Sequence, residues 1–309
     1  MFKLVVKRLL MLVPQFLLLS FMVFLLTEVS EWMLATPSGR NPIFIRYWNW
    51  LVNIITTGDF GWSWLEQGPA MTVVMTRLPN TIRLILMSLL ITYGIGIPLG
   101  IISGKRHGSL RDRVIQIFTL IGASIPSFAL ALLLILYFGF GLGWFPTGGT
   151  LPPGVSREAV GFSTYHLTRI HHMVLPALSL AIVQFIVPMK YLKSDVVDTY
   201  QQEFVTLARA KGASEKYIFK KHVFKNSLGT ITSSVPIQLT TAVAGAIIIE
   251  SLFAFPGLGW GLANALFSGD LNLASAFIFA IGAIVFLGAF IFDSLILMVN
   301  PRIKIEKEK

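Results

Sequence analysis

Residues 273–299 read LASAFIFAIGAIVFLGAFIFDSLILMV, and Asp293 is the one charged side chain in the run. An α-helix rises about 1.5 Å per residue and needs about 20 mostly apolar residues to cross the hydrocarbon core of a bilayer. This run is long enough and contains no proline, so it predicts a membrane-spanning helix. Working back towards the N-terminus, five more stretches meet the same test: 231–255, 173–192, 114–142, 80–104 and 9–27. Composition agrees: 54% of the 309 residues are hydrophobic and 13% are charged, where a soluble domain carries about 25% charged residues. The sequence predicts an all-α integral membrane protein, a single domain over 1–309 with six transmembrane helices.

Several of these spans contain proline: Pro14, Pro98, Pro126, Pro176, Pro188 and Pro236. Proline is tolerated in membrane helices because neighbouring helices and hydroxyls can satisfy the carbonyl it frees. Gly94, Gly96, Gly100, Gly282 and Gly288 allow close helix packing. The apolar run that begins at Leu9 follows Lys3, Lys7 and Arg8, as a signal peptide would. It exceeds the ~7–15 residues of a secretory core and no small-x-small cleavage site follows, so it is expected to be a retained first helix.

Basic residues set the direction, because connections on the cytoplasmic side carry the excess of Lys and Arg. With the N-terminus inside, segments 1–8, 105–113, 190–228 and 300–309 hold 19 of the 25 basic residues, including every lysine. The outer connections hold Arg40, Arg46, Arg77, Arg83, Arg157 and Arg169. Both termini are therefore expected in the cytoplasm. The net charge of +10 is spread along the cytoplasmic edge of a membrane, which argues against nucleic acid as a partner. There is no cysteine, so disulfides and thiolate metal sites are excluded. The external loop 28–79 is rich in aromatics (Trp32, Phe44, Tyr47, Trp48, Trp50, Phe60, Trp62, Trp64), the pattern of an interfacial belt. Pro152, Pro153 and Gly154 mark a turn in a second external connection, 143–172.

The cytoplasmic loop 193–228 is the distinctive segment. Residues 203–211 suit a helix, and Gly212 interrupts it as a C-terminal glycine does. Ser214 is placed to cap a second helix, with Glu215 at its positive end. Tyr217, Ile218, Phe219, Val223 and Phe224 form an apolar side, and Lys216, Lys220, Lys221 and Lys225 a basic one. On pattern alone, a helix lying on anionic lipid is as good a reading as a functional contact.

The stretch Glu203-Phe-Val-Thr-Leu-Ala-Arg-Ala-Lys-Gly-Ala-Ser214, followed by Phe219, Phe224 and Lys225, resembles the EAA loop of binding-protein-dependent ABC importer permeases. It is most similar to the form found in the oligopeptide and dipeptide branch. Thr206 and Leu207 stand where the general pattern has Glu and Ala, a departure that this branch shares. Other stretches are similar in the same order: 58–63 (GDFGWS), 77–81 (RLPNT), 142–149 (LGWFPTGG), 172–177 (HMVLPA), 250–259 (ESLFAFPGLG) and 300–303 (NPRI). Residues 269–272 (GDLN) depart from the family's usual RDYP.

The resemblance implies the type I ABC importer permease fold in a bacterial plasma membrane and the import of peptides, with nickel or a metallophore as the alternative cargo. It implies a second homologous permease, two ATPase subunits that bind ATP and Mg, and an external substrate-binding protein. Contact with the ATPase would fall on Glu203, Thr206, Ala208, Lys211, Gly212, Ala213 and Ser214. Ala208 would keep the contact face of the helix slim, and Gly212 would allow a close approach of two backbones.

The chain carries no GxxxxGK[ST], GxSxG or HExxH, so neither ATP hydrolysis nor other catalysis is expected of it. Polar groups at membrane depth are candidates for the translocation pathway: Ser124 and Ser127 around Pro126, Gln184, Ser233, Ser234, Gln238, Thr240 and Thr241. The competing reading for each hydroxyl is a bond to its own helix or a neighbour. The two amides stand out, because an amide is costly to leave unpaired in lipid. Glu250 and Asp293 are acids in or near spans, hence structural pairs, gate residues or, on the rival reading of a proton-coupled transporter, a relay. His171 and His172 are neighbours pointing about 100° apart on a helix, which suits a helix cap better than a metal site.

Overall fold

The computed structural model describes residues 2–33 and 42–299. In chain order the elements are α1 (Phe2–Met33), α2 (Ile43–Thr57), a hairpin of β1 (Trp62–Ser63) and β2 (Gly68–Pro69), α3 (Ala70–Lys105), α4 (Leu110–Ser124) and α5 (Ser127–Leu134), which runs on as a π-helical turn over Ile135–Gly141. There follow α6 (Arg157–Val160), α7 (Phe162–Gln184), α8 (Ile186–Tyr200), α9 (Glu203–Ala210), α10 (Glu215–Ile218), a π-helical turn over Phe219–Val223, α11 (Phe224–Leu252), α12 (Leu258–Ser268) and α13 (Leu271–Val299). Among the described residues, four helices are long and apolar enough to cross a membrane, and the number rises to six when the bent pairs α4–α5 and α7–α8 each count as one span.

The stretch 114–142 is not the continuous helix that its hydropathy predicts. α4 and α5 meet at 98°. The cause is local: proline disfavours the helical region for the residue before it, and Ile125 is extended at φ −92°, ψ 122°. Pro126 then becomes the N-cap of α5. Pro14, Pro176 and Pro236, by contrast, sit inside α1, α7 and α11. The fourth span bends by 41° at Phe185. Pro188 has no N–H to give the carbonyl four residues back. That carbonyl, of Gln184, accepts instead from the Gln238 side-chain amide at 3.2 Å.

The chain groups into two compact units. The first comprises Met1–Leu84, Gly148–His172 and Val243–Ile291. Its core holds Val23, Ile54, Phe60, Val74, Leu258, Leu273 and Phe277. α1 and α13 approach so closely that a Cβ on Gly282 would collide with Leu19. The loop 28–79 is more than an aromatic belt: Tyr47, Trp50 and Phe60 pack with Phe24 and Phe279 inside the unit in tilted and edge-on contacts, while Phe44, Trp48, Trp62 and Trp64 stay exposed. Trp32 lies outside the described side chains.

The second unit comprises Ile85–Thr147, Met173–Ala242 and Phe292–Lys309, and residues 300–309 lie outside the described part. Here α3 presents glycines at four-residue spacing to α8. A Cβ would stand 3.0 Å from the Phe185 carbonyl at Gly96, 2.9 Å from that of Met189 at Gly100, and 2.7 Å from Val196 at Gly104. Gly94, though one of the expected packing glycines, faces open space.

Candidate functional site

The loop after α8 folds as its residue types dictate. α9 ends in a Schellman motif: Gly212 N–H donates to Arg209 O at 2.9 Å and Ala213 N–H to Ala208 O at 3.1 Å. That closure needs a left-handed residue, and Gly212 supplies it at φ +81°. Ser214 caps α10, its hydroxyl accepting from Tyr217 N–H. Arg209 pairs with Glu215 at 2.6 Å, and this hydrogen bond holds the guanidinium above its ordinary pKa. Both side chains are exposed, so the pair fixes the turn's geometry more than it adds stability.

Val205, Ile218 and Val223 point into a buried cluster with Leu192, Val196 and Ile231. Ala208 and Ala213 pack against the same cluster, and each stays partly exposed. Their small side chains let the loop lie close to its own unit. The outward face carries Glu203, Phe204, Thr206, Leu207, Lys211, Gly212, Ser214 and Tyr217, all exposed. A Cβ on Gly212 would meet nothing within 4 Å, so the space beside this exposed residue is open. Phe204 and Tyr217 flank the His222 ring at 6.0 and 6.1 Å. Beside them Lys216, Lys220 and Lys221 line a shallow depression of about 420 Å³. The surface combines two large apolar side chains, Phe204 and Leu207, with a basic rim.

The pathway candidates divide. Ser124, Ser233, Thr240 and Thr241 give their hydroxyls to carbonyls of their own helices, and Ser234 does so while meeting the Tyr93 hydroxyl at 3.2 Å. Ser124 and Pro126 lie exposed at the sharp bend. Gln238 is buried and committed to the carbonyl that Pro188 leaves free. The Gln184 side-chain oxygen is buried and has no partner among the described residues. Asp293 is half-buried on α13.

Glu250 is fully buried. Its carboxylate accepts from Thr81 Oγ1 at 2.6 Å, Gly259 N–H at 2.7 Å and Trp260 N–H at 3.2 Å, so it occupies the N-terminal end of α12, where orphan donors and the helix dipole favour an anion. The PGLG stretch, 256–259, makes this fit: a Cβ on Gly257 would overlap the carboxylate, and one on Gly259 would overlap Ile247. Thr81 Oγ1 also accepts from Leu258 N–H at 2.8 Å, and the Asn80 amide donates to Pro256 O at 2.8 Å. Arg169 donates to the Asn80 side-chain oxygen. Gly149 N–H reaches Phe253 O at 2.9 Å, and His172 Nδ1 bonds Gly148 O at 3.1 Å. Four stretches singled out in the sequence, RLPNT, LGWFPTGG, HMVLPA and ESLFAFPGLG, thus meet in one hydrogen-bonded hub.

Two buried carboxylates escaped the reading of the sequence. Asp270 caps α13 by accepting from Leu273 N–H and binds Ser63 Oγ and Leu65 N–H, which ties the hairpin down within the GDLN stretch. Asp112 accepts from Ser103 Oγ, Gly108 N–H and Lys193 Nζ (the last at 2.7 Å). Its signal was present: Ser109 followed three residues later by Asp112 is the start of a capped helix, and Ser109 does cap α4.

Residues 96–305 match the family described as binding-protein-dependent transport system inner membrane component. The chain belongs to that family. It is 34% identical over 266 residues to the oligopeptide transport system permease protein AppB of Bacillus subtilis, covering 86% of this chain and 82% of that protein. It is 27% identical over 267 residues to the dipeptide transport system permease protein DppB of Lactococcus lactis, covering 85% and 82%. Among solved structures it is similar to an inward-facing form of the MetNI methionine ABC transporter, with a TM-score of 0.57 at 17% identity over 74% of this chain and 97% of that one. The fold is that of a type I ABC importer permease. This family member is a multi-pass protein of the bacterial inner membrane and a permease subunit without catalytic activity of its own. Its family works with ATPase and substrate-binding partners.

Proposed function

We propose that this permease carries peptides inward, with both termini in the cytoplasm, as half of a translocation pathway completed by a second homologous permease. The peptide cargo rests on the oligopeptide and dipeptide systems to which its relatives belong. The orientation rests on the concentration of Lys and Arg in the segments assigned to the inside. Two ATPase subunits, binding ATP and Mg, would seat the loop 193–228, and an external binding protein would deliver the substrate.

The observation that carries the coupling role is the outward face around Gly212. Phe204 and Leu207 are 40% and 56% exposed on a loop that is itself well folded. Rigid apolar anchors ringed by charge suit a protein groove, and the bare backbone at Gly212 admits a close partner. When paired ATPases close on ATP, a loop anchored inward by Val205, Ile218 and Val223 transmits the displacement to α8 and α11 as a unit. Ala208 and Ala213 hold it to that core, while Glu203, Thr206, Lys211 and Ser214 are placed to contact the partner.

The test of cargo is uptake by proteoliposomes holding the permease with its co-purified partners and binding protein. ATP-dependent accumulation of a labelled short peptide is expected. Accumulation of nickel without peptide would contradict the cargo assignment.

A further inference from the structure

We infer that α2 lies in the plane of the membrane interface, with a lipid surface as the partner of its exposed apolar flank. The inference rests on the membrane-spanning character of α1 and not on cargo, coupling or which side of the membrane is outside.

Successive residues of a helix are about 100° apart, and the side chains of α2 sort into three sectors. Tyr47, Trp50, Leu51 and Ile54 form the first and pack inward against α1 and the core. Phe44, Trp48, Val52 and Ile55 form the second; they are 75%, 63%, 40% and 74% exposed. Asn49, Asn53, Thr56 and Thr57 form the third and are exposed as well. A solvent-facing helix has an apolar face towards the core and a polar remainder. Here the outward side is itself split, with an apolar flank beside a polar flank. That is the division required of a helix lying between acyl chains on one side and water on the other.

Its depth agrees. Tyr47 bonds Ser20 Oγ at 2.8 Å and packs edge-on against Phe21 and at a tilt against Phe24, and Arg46 pairs with Glu28. Glu28 marks the polar end of the α1 apolar run, so Arg46 sits at the level where the hydrocarbon ends while the Tyr47 side chain reaches down into the apolar run. Leu18, Met22 and Leu25 of α1 are exposed apolar side chains as well. Trp48 sits in the apolar flank, and tryptophan is enriched at this boundary.

The chain has no cysteine, so single cysteines can carry a nitroxide without background. The full chain with its co-purified partners is reconstituted in phosphatidylethanolamine–phosphatidylglycerol liposomes and labelled at 44, 48 or 55, and separately at 49, 53 or 56. Power saturation then compares collisions with oxygen, which concentrates in lipid, and with a water-soluble nickel chelate. Oxygen-dominated relaxation at 44, 48 and 55 with chelate-dominated relaxation at 49, 53 and 56 is the expected result. Chelate access on both flanks would mean an open aqueous face and overturn the inference. Immobilised labels at 44, 48 and 55, shielded from both reagents, would mean a covering protein and overturn it equally. Position 55 guards against a folding defect caused by replacing Trp48.

Discussion

The Thr81 hydroxyl donates to the Glu250 carboxylate at 2.6 Å and accepts from Leu258 N–H at 2.8 Å, so one side chain on α3 joins the end of α11 to the start of α12. With the two backbone donors of Gly259 and Trp260, the carboxylate is held by three groups. Replacing Glu250 by Ala leaves those donors buried and unpaired, at about 1–3 kcal/mol for each unsatisfied group. The purified Glu250→Ala protein should melt well below wild type in a thermal-shift assay, and Thr81→Val should lose less. Equal melting of Glu250→Ala and wild type would show that the hub contributes little.

Glycine substitutions should divide by what a Cβ meets. At Gly259 it would overlap Ile247, and at Gly94 it meets nothing within 4 Å. Overpacking a tight contact costs about 1–3 kcal/mol, whereas Gly→Ala in an open helical position gains up to about 1 kcal/mol. Gly259→Ala should therefore destabilise and Gly94→Ala should not, read as melting temperature or protease resistance in detergent.

The carbonyl of Gln184 offers a rescue experiment. Gln238→Leu removes the amide that satisfies it, for about 1–3 kcal/mol. Pro188→Ala supplies an N–H in position to bond that same carbonyl. The double variant should recover part of the stability lost in Gln238→Leu, and a double-mutant cycle with no coupling would refute this role for Gln238.

Lys193 is the cation that compensates the buried Asp112. Lys193→Met leaves that carboxylate paired only with neutral donors and Nδ1 of His107, 3.4 Å away. Breaking a buried pair from one side costs about 3–5 kcal/mol. Adding Asp112→Asn should restore much of the loss, measured again as melting temperature.

The helical, membrane-spanning character was legible because six apolar runs needed only length and charge to be recognised. The Gly212 break and Ser214 cap were legible because each follows from local backbone chemistry. The inward packing of Ala208 was not legible for a different reason: which face of α9 turns inward is decided by Leu192, Val196 and Ile231 on other helices. The break at Pro126 was hidden because proline is compatible with both a kinked and a broken helix, as Pro176 and Pro236 illustrate. α12 went unread because it is short and glycine-rich, and its N-terminal partner, Glu250, lies on another helix. The motifs around Glu250 were visible as separate strings, and their meeting in one hub depends on long-range packing that no spacing rule encodes.

The coupling role of the loop is tested most directly by purifying tagged permease in mild detergent, wild type beside Gly212→Asp, and identifying what accompanies each. Aspartate tolerates the left-handed conformation better than most residues, so the turn should survive while a side chain and a charge fill the open backbone face. An ATPase subunit should co-purify with wild type and be lost from the variant, whose melting temperature should be little changed. Equal recovery of the ATPase with both proteins, or its absence from wild type across several detergents, would contradict the assignment of this surface to the ATPase.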